Sequence, residues 1–319
     1  MLWLPILCFS LYLRRYTWKM VAGIVLSCAA LIPAIIWNLE HEGATFRHVF
    51  RSISPASEDV SGNPFEFVIA QIGLFSPLLF LLLFAAIGAV GIQLRKVPHS
   101  IAFYWWTTVG FFAMCLVLSC FKKVQGNWAV GAFPTACTLL MSWCAMQKES
   151  IFRWLKVALI ISILSIVAVF LLPCNGPFKS GMGWQQLSIG MKQAGYNPKE
   201  HFLFSDRYQM TSVLSFYTEG QNRAFFLNLH RLRKNQFSYW PGMDKEVVGK
   251  DGYFVMEIGG HNALQKAERQ YGKMKKILSQ YFRGISSHPI VIPLSSMKVA
   301  LVIRCEGYNG KLPPETDKF

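Results

Sequence analysis

Long stretches without a charged side chain are the feature that most limits how this chain can fold. Three of them, residues 67–94, 100–120 and 127–147, contain no Asp, Glu, Lys or Arg. A helix needs about 20 apolar residues to cross a bilayer. We therefore predict an α-helical polytopic membrane domain over residues 1–173. Its five full spans cover residues 18–37, 67–94, 100–120, 127–147 and 154–173.

Two details refine this prediction. Residues 67–94 exceed the length of a straight crossing, so we expect this span to tilt or bend, with a kink at Pro77. Residues 1–13 are apolar but too short to cross, and no basic region precedes them as in a signal peptide. They resemble the second half of a sixth helix. We expect the chain to begin inside a larger membrane domain, with this segment as a partial span.

Charge is distributed unevenly along the chain. Residues 1–173 carry 12 Lys and Arg and 6 Asp and Glu, whereas residues 174–319 carry 20 and 11. The net charge of +15 would indicate nucleic acid in a soluble protein. Here the basic residues are explained by membrane topology and anionic lipid, so membrane lipid is a predicted partner and nucleic acid is not.

The basic residues of the short loops predict the orientation of the spans. Cytoplasmic loops carry an excess of Lys and Arg, and three basic groups alternate correctly between the predicted spans. This places residues 38–66, residues 121–126 and everything after Pro173 on the outer face. The three groups are Arg14, Arg15 and Lys19; Arg95 and Lys96; and Lys148, Arg153 and Lys156.

The last third of the chain has the pattern of a soluble domain. Short apolar runs alternate with amphipathic stretches over residues 199–319, which predicts a small extracytoplasmic α/β domain. Residues 174–198, with their Gly and Pro, are interpreted as a linker. Ser205-Asp206 is interpreted as a helix N-cap, and a catalytic Asp206 stays open as the alternative.

Cysteine and motif content narrow the chemistry. Cys174 and Cys305 lie in the predicted outer part, where an oxidising compartment allows a disulfide, and free thiols remain the alternative. No Cys and His spacing indicates a metal site. No Gly-rich nucleotide loop, nucleophile elbow or His-Glu-x-x-His motif occurs, so no cofactor is predicted.

Two adjacent lysines are the most informative residues of the membrane part. Lys122 and Lys123 lie between two uncharged spans on the predicted outer face, against the usual charge bias. An ammonium group there is suited to hold the phosphate of a lipid-linked substrate. The alternative is that both side chains merely reach the lipid head groups.

The segment between residues 38 and 63 also has two interpretations. It carries acids, bases and histidines, including Arg47, which are compatible with part of an active site. A solvated loop has the same composition, and this is the interpretation we favour. At its end, Asn63 is predicted to cap a helix that begins with Pro64, with Glu66 closing a capping box.

The order of several motifs resembles bacterial membrane glycosyltransferases related to protein O-mannosyltransferases and the lipid A aminoarabinose transferase. The resemblance covers nearly the whole chain, and the order of the motifs is more specific than any one of them. The motifs are Trp37-Asn38 with His41 and Ala44-Thr45-Phe46-Arg47; Gln71-Ile-Gly-Leu-Phe-Ser-Pro77; Lys122-Lys-Val-Gln-Gly-Asn-Trp128 with Phe133-Pro134; Ser205-Asp-Arg-Tyr-Gln209 with Phe216-Tyr217 and Gly220-Gln221; and Asn235-Gln236 with Tyr239-Trp-Pro-Gly242.

The resemblance implies an enzyme of the bacterial inner membrane with a periplasmic C-terminal domain. It would transfer a sugar from a polyprenyl-phosphate carrier to a lipid, glycan or protein of the envelope. Lys122, Lys123 and, more weakly, Arg47 are then candidate contacts for the lipid phosphate. The family's catalytic acid lies in an early outer loop that has no counterpart here, and we assign no catalytic residue.

Two hypotheses follow from this departure. The first is the C-terminal part of a truncated or split transferase, completed by a separately encoded N-terminal half. The second is a non-catalytic membrane protein whose outer domain binds an envelope partner. A third hypothesis is a transporter, but the predicted spans carry few ionisable residues of the kind that mark a substrate path.

Overall fold

The structure, a computed structural model, describes residues 3–14, 17–53, 62–147, 149–171 and 183–315. The chain is mostly helical, with a small α/β sheet region at its C-terminal end. It divides into two compact units, Met1–Pro173 and Cys174–Phe319. Each unit is described separately below.

The first unit is built from helices and contains no strand among its described residues. Four of its segments are long and apolar enough to cross a membrane: Trp18–Glu40, His99–Phe121, Gly126–Ala145 and Glu149–Ala168. The helices are α1 (Trp3–Leu13), α2 (Trp18–Ala29), α3 (Ile32–Glu40), α4 (Ala44–Ile53), α5 (Pro64–Phe75), α6 (Pro77–Ile92), α7 (His99–Phe121), α8 (Phe133–Ala145) and α9 (Glu149–Leu171), with a 3₁₀ helix at Gly126–Ala132 before α8.

The predicted kink at Pro77 is present, but it is much sharper than a bend in one span. Helices α5 and α6 meet at an angle of 108°. Pro77 cannot donate a backbone hydrogen bond to the preceding turn, and Ser76 adopts a left-handed φ of 73°. The two helices therefore form either one broken span or a re-entrant pair, and with them the number of potential spans rises to five.

The second unit contains a six-stranded sheet with the order β2-β1-β3-β6-β4, and β5 also pairs with β6. Strand β1 is parallel to β2 and β3, and β6 is antiparallel to β3, β4 and β5. Strands β5 and β6 form a hairpin near the end of the chain. The strands are β1 (His201–Ser205), β2 (Phe225–Phe226), β3 (Asp251–Gly259), β4 (Phe282–Ile285), β5 (Ile290–Ser295) and β6 (Lys298–Tyr308).

Helices cover both faces of this sheet. Along β1, Leu203 packs with α10 and α11, whereas its neighbours Phe202 and Phe204 pack on the α14 side. This alternation follows from the two-residue period of a strand. The helices are α10 (Trp184–Gln193), α11 (Tyr208–Tyr217), α12 (Gln236–Tyr239), α13 (Met243–Glu246) and α14 (Ala263–Leu278), with a short 3₁₀ helix at Glu219–Gln221.

Part of the predicted linker belongs to the folded domain. Helix α10 lies inside residues 174–198, and its Leu187 and Met191 are fully buried. Gly190 permits the close packing, because a Cβ atom there would lie 2.6 Å from a side-chain carbon of Ile292 on β5. The helix is therefore one layer of the domain rather than a connector.

The two cysteines for which a disulfide and free thiols were both left open, Cys174 and Cys305, lie only partly within the described residues. Cys305 is a fully buried free thiol on β6, and its Sγ lies 3.6 Å from the carbonyl oxygen of Ile303. Burial raises the pKa of the Cys305 thiol, so the thiolate is disfavoured at neutral pH. Cys174 lies outside the described residues.

Candidate functional site

The Trp37-Asn38 motif forms a corner between α3 and α4. Asn38 is buried, and its Nδ2 donates to the carbonyl oxygen of Ala34 at 2.7 Å. Its Oδ1 accepts from the backbone N–H groups of Thr45 and Phe46 at 2.9 and 3.3 Å. One amide thus joins the end of α3 to the start of α4, where backbone donors need partners. The motif has a structural role at this corner.

Residues 44–53, which we interpreted as part of a loop, form helix α4. Phe46, Val49 and Phe50 are exposed, and the intervening positions include Arg47 and His48. Arg47 Nη1 lies 3.9 Å from Oε2 of Glu42, an ion pair between exposed side chains. Arg47 therefore lies on an amphipathic helix, and exposed pairs of this kind contribute little stability.

Two of the motifs from the sequence contact each other directly. Gln71, buried in α5, donates from Nε2 to the carbonyl oxygen of Gly126 at 2.9 Å. A Cβ atom on Gly126 would lie 3.0 Å from Ala70 Cβ and 3.1 Å from Leu74 Cδ1, so glycine permits this close approach. The Gln71 Oε1 atom is buried and has no hydrogen-bond partner among the described residues.

The two predicted lysines follow α7, next to this contact, but they have different surroundings. Lys122 is only 8% exposed. Lys123 is exposed, and its Nζ lies 3.3 Å from Oε1 of Glu66. The side chain of Asn63 accepts from the N–H groups of Phe65 and Glu66, which confirms it as the cap of α5. The carboxylate that we expected to close a capping box thus pairs with Lys123.

Backbone contact holds the start of α5 against the end of α7. A Cβ atom on Gly62 would lie 2.2 Å from the carbonyl oxygen of Ser119 and 2.6 Å from the backbone nitrogen of Lys122. Only glycine, which has no Cβ atom, allows the two backbone segments to approach this closely. The residues between 62 and 126 that form this arrangement are called the α5–α7 junction: Gly62, Glu66, Gln71, Lys122, Lys123 and Gly126.

The α5–α7 junction contains two ammonium groups that suit an anion, those of Lys122 and Lys123. The Gly126 carbonyl oxygen and the buried Oε1 of Gln71 only accept hydrogen bonds, so they suit a donor group rather than the anion. Ammonium groups near a membrane surface attract phosphate. Arg47 lies on α4, which packs on α3, whereas α7 packs on α1, α5 and α8. The structure thus gives Arg47 different neighbours from the lysine pair.

In the second unit, the N-cap role of Asp206 is wrong. The N-cap of α11 is Arg207, with no side-chain cap bond. The Asp206 side chain is 1% exposed and accepts a hydrogen bond at its Oδ2 from Nε2 of His230 at 2.9 Å. The carboxylate turns into the fold toward a residue 24 positions later instead of capping the helix beside it. Sequence analysis did not identify His230.

A shallow cleft lies beside the amino-terminal ends of β1 and β3, at the opposite end of these strands from Asp206. It encloses about 160 Å³ and is lined by Lys199, His201, Arg223 and Lys250. The Arg223 guanidinium is already engaged by Glu246, by the carbonyl oxygen of Pro241 and by the rings of Phe225 and Trp240. Arg223 therefore has a structural role in the lining of the cleft, because its guanidinium is already bound by other groups of the protein.

The second unit contains buried tyrosines, Tyr196, Tyr253 and Tyr308. Burial raises the pKa of Tyr196, which lines the cleft, and that of Tyr253, whose hydroxyl donates to the carbonyl oxygen of Ala194. Burial also raises the pKa of Tyr308 to about 12. These phenols remain neutral at physiological pH, so none of them is suited to accept a proton.

No family model, curated protein or solved structure matches the chain. Among the residues that the structure describes, no group of three or more His, Cys, Asp or Glu side chains is placed to hold a metal ion.

Proposed function

We propose that this chain acts in glycosyl transfer from a polyprenyl-phosphate-linked sugar to an envelope acceptor, at the outer face of the bacterial inner membrane. The observation that carries the proposal is the contact between Gln71 and Gly126. It joins two motifs that resemble membrane glycosyltransferases and lie far apart in the sequence. Lys122 lies at this α5–α7 junction and supplies a positive charge for the lipid phosphate.

The apolar helices support a membrane location for this chemistry. Five spans and the partial helix α1 would alternate so that the α5–α7 junction and the second unit both face the periplasm. The broken helix pair at Ser76 and Pro77 also fits, because irregular backbone at membrane depth occurs where it is packed in protein or lines a cavity.

The proposed reaction is a displacement at the anomeric carbon. The bond from this carbon to the phosphate oxygen breaks, and its electron pair leaves with the lipid phosphate. An acceptor hydroxyl forms the new bond and loses its proton to a base. An ammonium group beside the leaving phosphate stabilises the charge that develops there. Lys122 and Lys123 are proposed for this role, and the base is not assigned.

The lysine pair offers a matched test of the site. We expect Lys122→Ala to weaken binding of a polyprenyl phosphate to the full chain in nanodiscs about tenfold. Lys123→Ala should weaken binding less, only about twofold, because Lys123 is exposed and solvent screens its charge. Fluorescence titration with a labelled polyprenyl phosphate measures both. Unchanged binding in the double variant would remove the lysines from the site.

A second candidate function is a non-catalytic membrane protein whose outer unit binds an envelope partner. The pairing of Glu66 with Lys123 favours it, since this carboxylate is engaged rather than available as a base. Sugar transfer from a radiolabelled polyprenyl-phosphate sugar separates the two functions, if it is measured in membranes that also contain the separately encoded N-terminal half expected for a split transferase. Transfer that is lost in the Lys122→Ala variant supports the enzyme, whereas lipid binding without transfer supports the non-catalytic protein.

A further inference from the structure

The burial of the Asp206 carboxylate is not explained by the helix that follows it in the sequence. It is 1% exposed and does not cap α11. Its contacts are Nε2 of His230 at 2.9 Å and, more weakly, Oγ of Ser205 at 3.5 Å. Burying an ionised carboxylate is costly unless a donor compensates it. The His230 ring is that donor, so the two residues form a pair across the ends of β1 and β2.

A rigid turn presents His230. The side chain of Asn228 donates from Nδ2 to the carbonyl oxygen of Leu232 and accepts from its N–H, both at 2.8 Å. Within this turn Arg231 adopts a left-handed φ of 49°, which is unfavourable for a side chain of its size. The N–H of Leu227 donates to the carbonyl oxygen of Ser205, which fixes the strand before the turn to β1.

The pair lies where α/β sheets commonly bind ligands. Strand β1 is parallel to both of its neighbours, and the chain passes from β1 through α11 to β2 on one side, while β3 lies on the other. Ligands of open α/β sheets bind outside the carboxyl ends of the strands, where the strand order reverses. Asp206 directly follows the carboxyl end of β1.

The remaining ring nitrogen of His230 is suited to an anion. Because an ionised Asp206 can only accept, Nε2 carries a proton, and Nδ1 is the second nitrogen of a side chain that is 46% exposed. A carboxylate bonded to one ring nitrogen fixes the orientation of an imidazole. In its protonated form the ring donates from both nitrogens, so Nδ1 can then donate to an anion.

The charges around the pair are mainly positive. Arg207 follows Asp206 directly and is exposed, and Arg231 and Arg233 belong to the turn and its continuation. Residues 174–319 carry 20 basic and 11 acidic side chains, a net charge of +9. The geometry points to a binding site for a phosphate-bearing anion at His230, oriented by Asp206 and flanked by Arg207. This site is independent of the α5–α7 junction.

The test uses the full chain in detergent and isothermal titration calorimetry. The probes are inorganic phosphate and dihexanoyl phosphatidate, which present the same phosphate group free and on a lipid. We expect His230→Gln to weaken binding of phosphate about tenfold, and Asp206→Asn to weaken it in the same direction. His288→Gln, an exposed histidine between β4 and β5, is the control and should leave it unchanged.

The outcomes separate this site from its alternatives. Binding of phosphate alone assigns a free anion, and tighter binding of phosphatidate that His230→Gln also weakens assigns a lipid head group. The inference is overturned if the folded His230→Gln variant binds both probes as the unchanged chain does. It is also overturned if Lys250→Gln, in the cleft at the opposite end of β1, removes binding instead. Near-ultraviolet circular dichroism confirms that each variant is folded.

Discussion

Gly62→Ala is expected to weaken polyprenyl-phosphate binding by more than the loss of either lysine charge, by about a hundredfold. The added methyl would lie 2.2 Å from the Ser119 carbonyl oxygen and 2.6 Å from the Lys122 nitrogen. Both are backbone atoms, so no side-chain rotation relieves the contact. The start of α5 must separate from the end of α7, and Lys122 moves with it. Titration with the labelled lipid in nanodiscs measures the effect.

Gly73→Ala is the matched control for this prediction. Gly73 lies in the same helix α5, and a Cβ atom there meets nothing within 4 Å. Alanine stabilises a helix interior by about 0.5–1 kcal/mol relative to glycine, so this variant should bind as the unchanged chain does and unfold no earlier. Equal binding by the Gly62 and Gly73 variants would show that the junction does not position the lipid site.

Gly183→Ala should produce the largest loss of stability in the second unit, about 3 kcal/mol. Gly183 has φ of 89°, and a Cβ atom would lie 2.2 Å from the carbonyl oxygen of Leu294 on β5. The residue precedes α10 and fixes the helix against the sheet. A loss of this size corresponds to roughly hundredfold faster amide hydrogen exchange in α10 and β5.

Hydrogen exchange of the full chain measured by mass spectrometry checks this effect locally. Gly272→Ala is its control, because Gly272 lies in α14 and a Cβ atom there meets nothing within 4 Å. If α10 were a linker, as its sequence suggested, its amides would exchange fast already and Gly183→Ala would change nothing.

The hydrophobic pattern was sufficient to predict the main elements. Uncharged runs located the apolar helices, and the alternation of short apolar runs with amphipathic stretches predicted the α/β class of the second unit. Pro77 also marked the correct position of the break in the chain. The angle of 108° between α5 and α6 depends on the positive φ of Ser76, which no local sequence pattern predicts.

Segments of polar composition were predicted less well. Helix α4 was interpreted as part of a loop because residues 38–63 carry acids, bases and histidines, as a solvated loop does, although Phe46, Val49 and Phe50 recur at helical spacing. Helix α10 follows a stretch rich in Gly and Pro, which suggested a linker. Its burial depends on Gly190 meeting β5, a contact between residues about a hundred positions apart in the chain.

Both candidate sites depend on contacts between residues that lie far apart in the sequence. Asp206 before a helix is a common N-cap pattern, yet its carboxylate bonds to His230. The parallel arrangement of β1 and β2 brings these residues together. The carboxyl ends of parallel strands lie at one edge of a sheet. A sequence pattern that identified β1 and β2 as parallel neighbours would therefore have been the signal for the contact between Asp206 and His230. The Gln71–Gly126 contact likewise depends on tertiary packing.

The most direct test of the proposed function is photo-crosslinking in membranes with a polyprenyl phosphate that carries a photoactivatable group beside its phosphate. The account predicts labelled peptides from residues 62–75 and 119–132, the two segments joined at the α5–α7 junction. Unlabelled polyprenyl phosphate should abolish this labelling. Labelling spread over the exposed helices α2 and α9, and undiminished by competitor, would contradict a specific lipid-phosphate site.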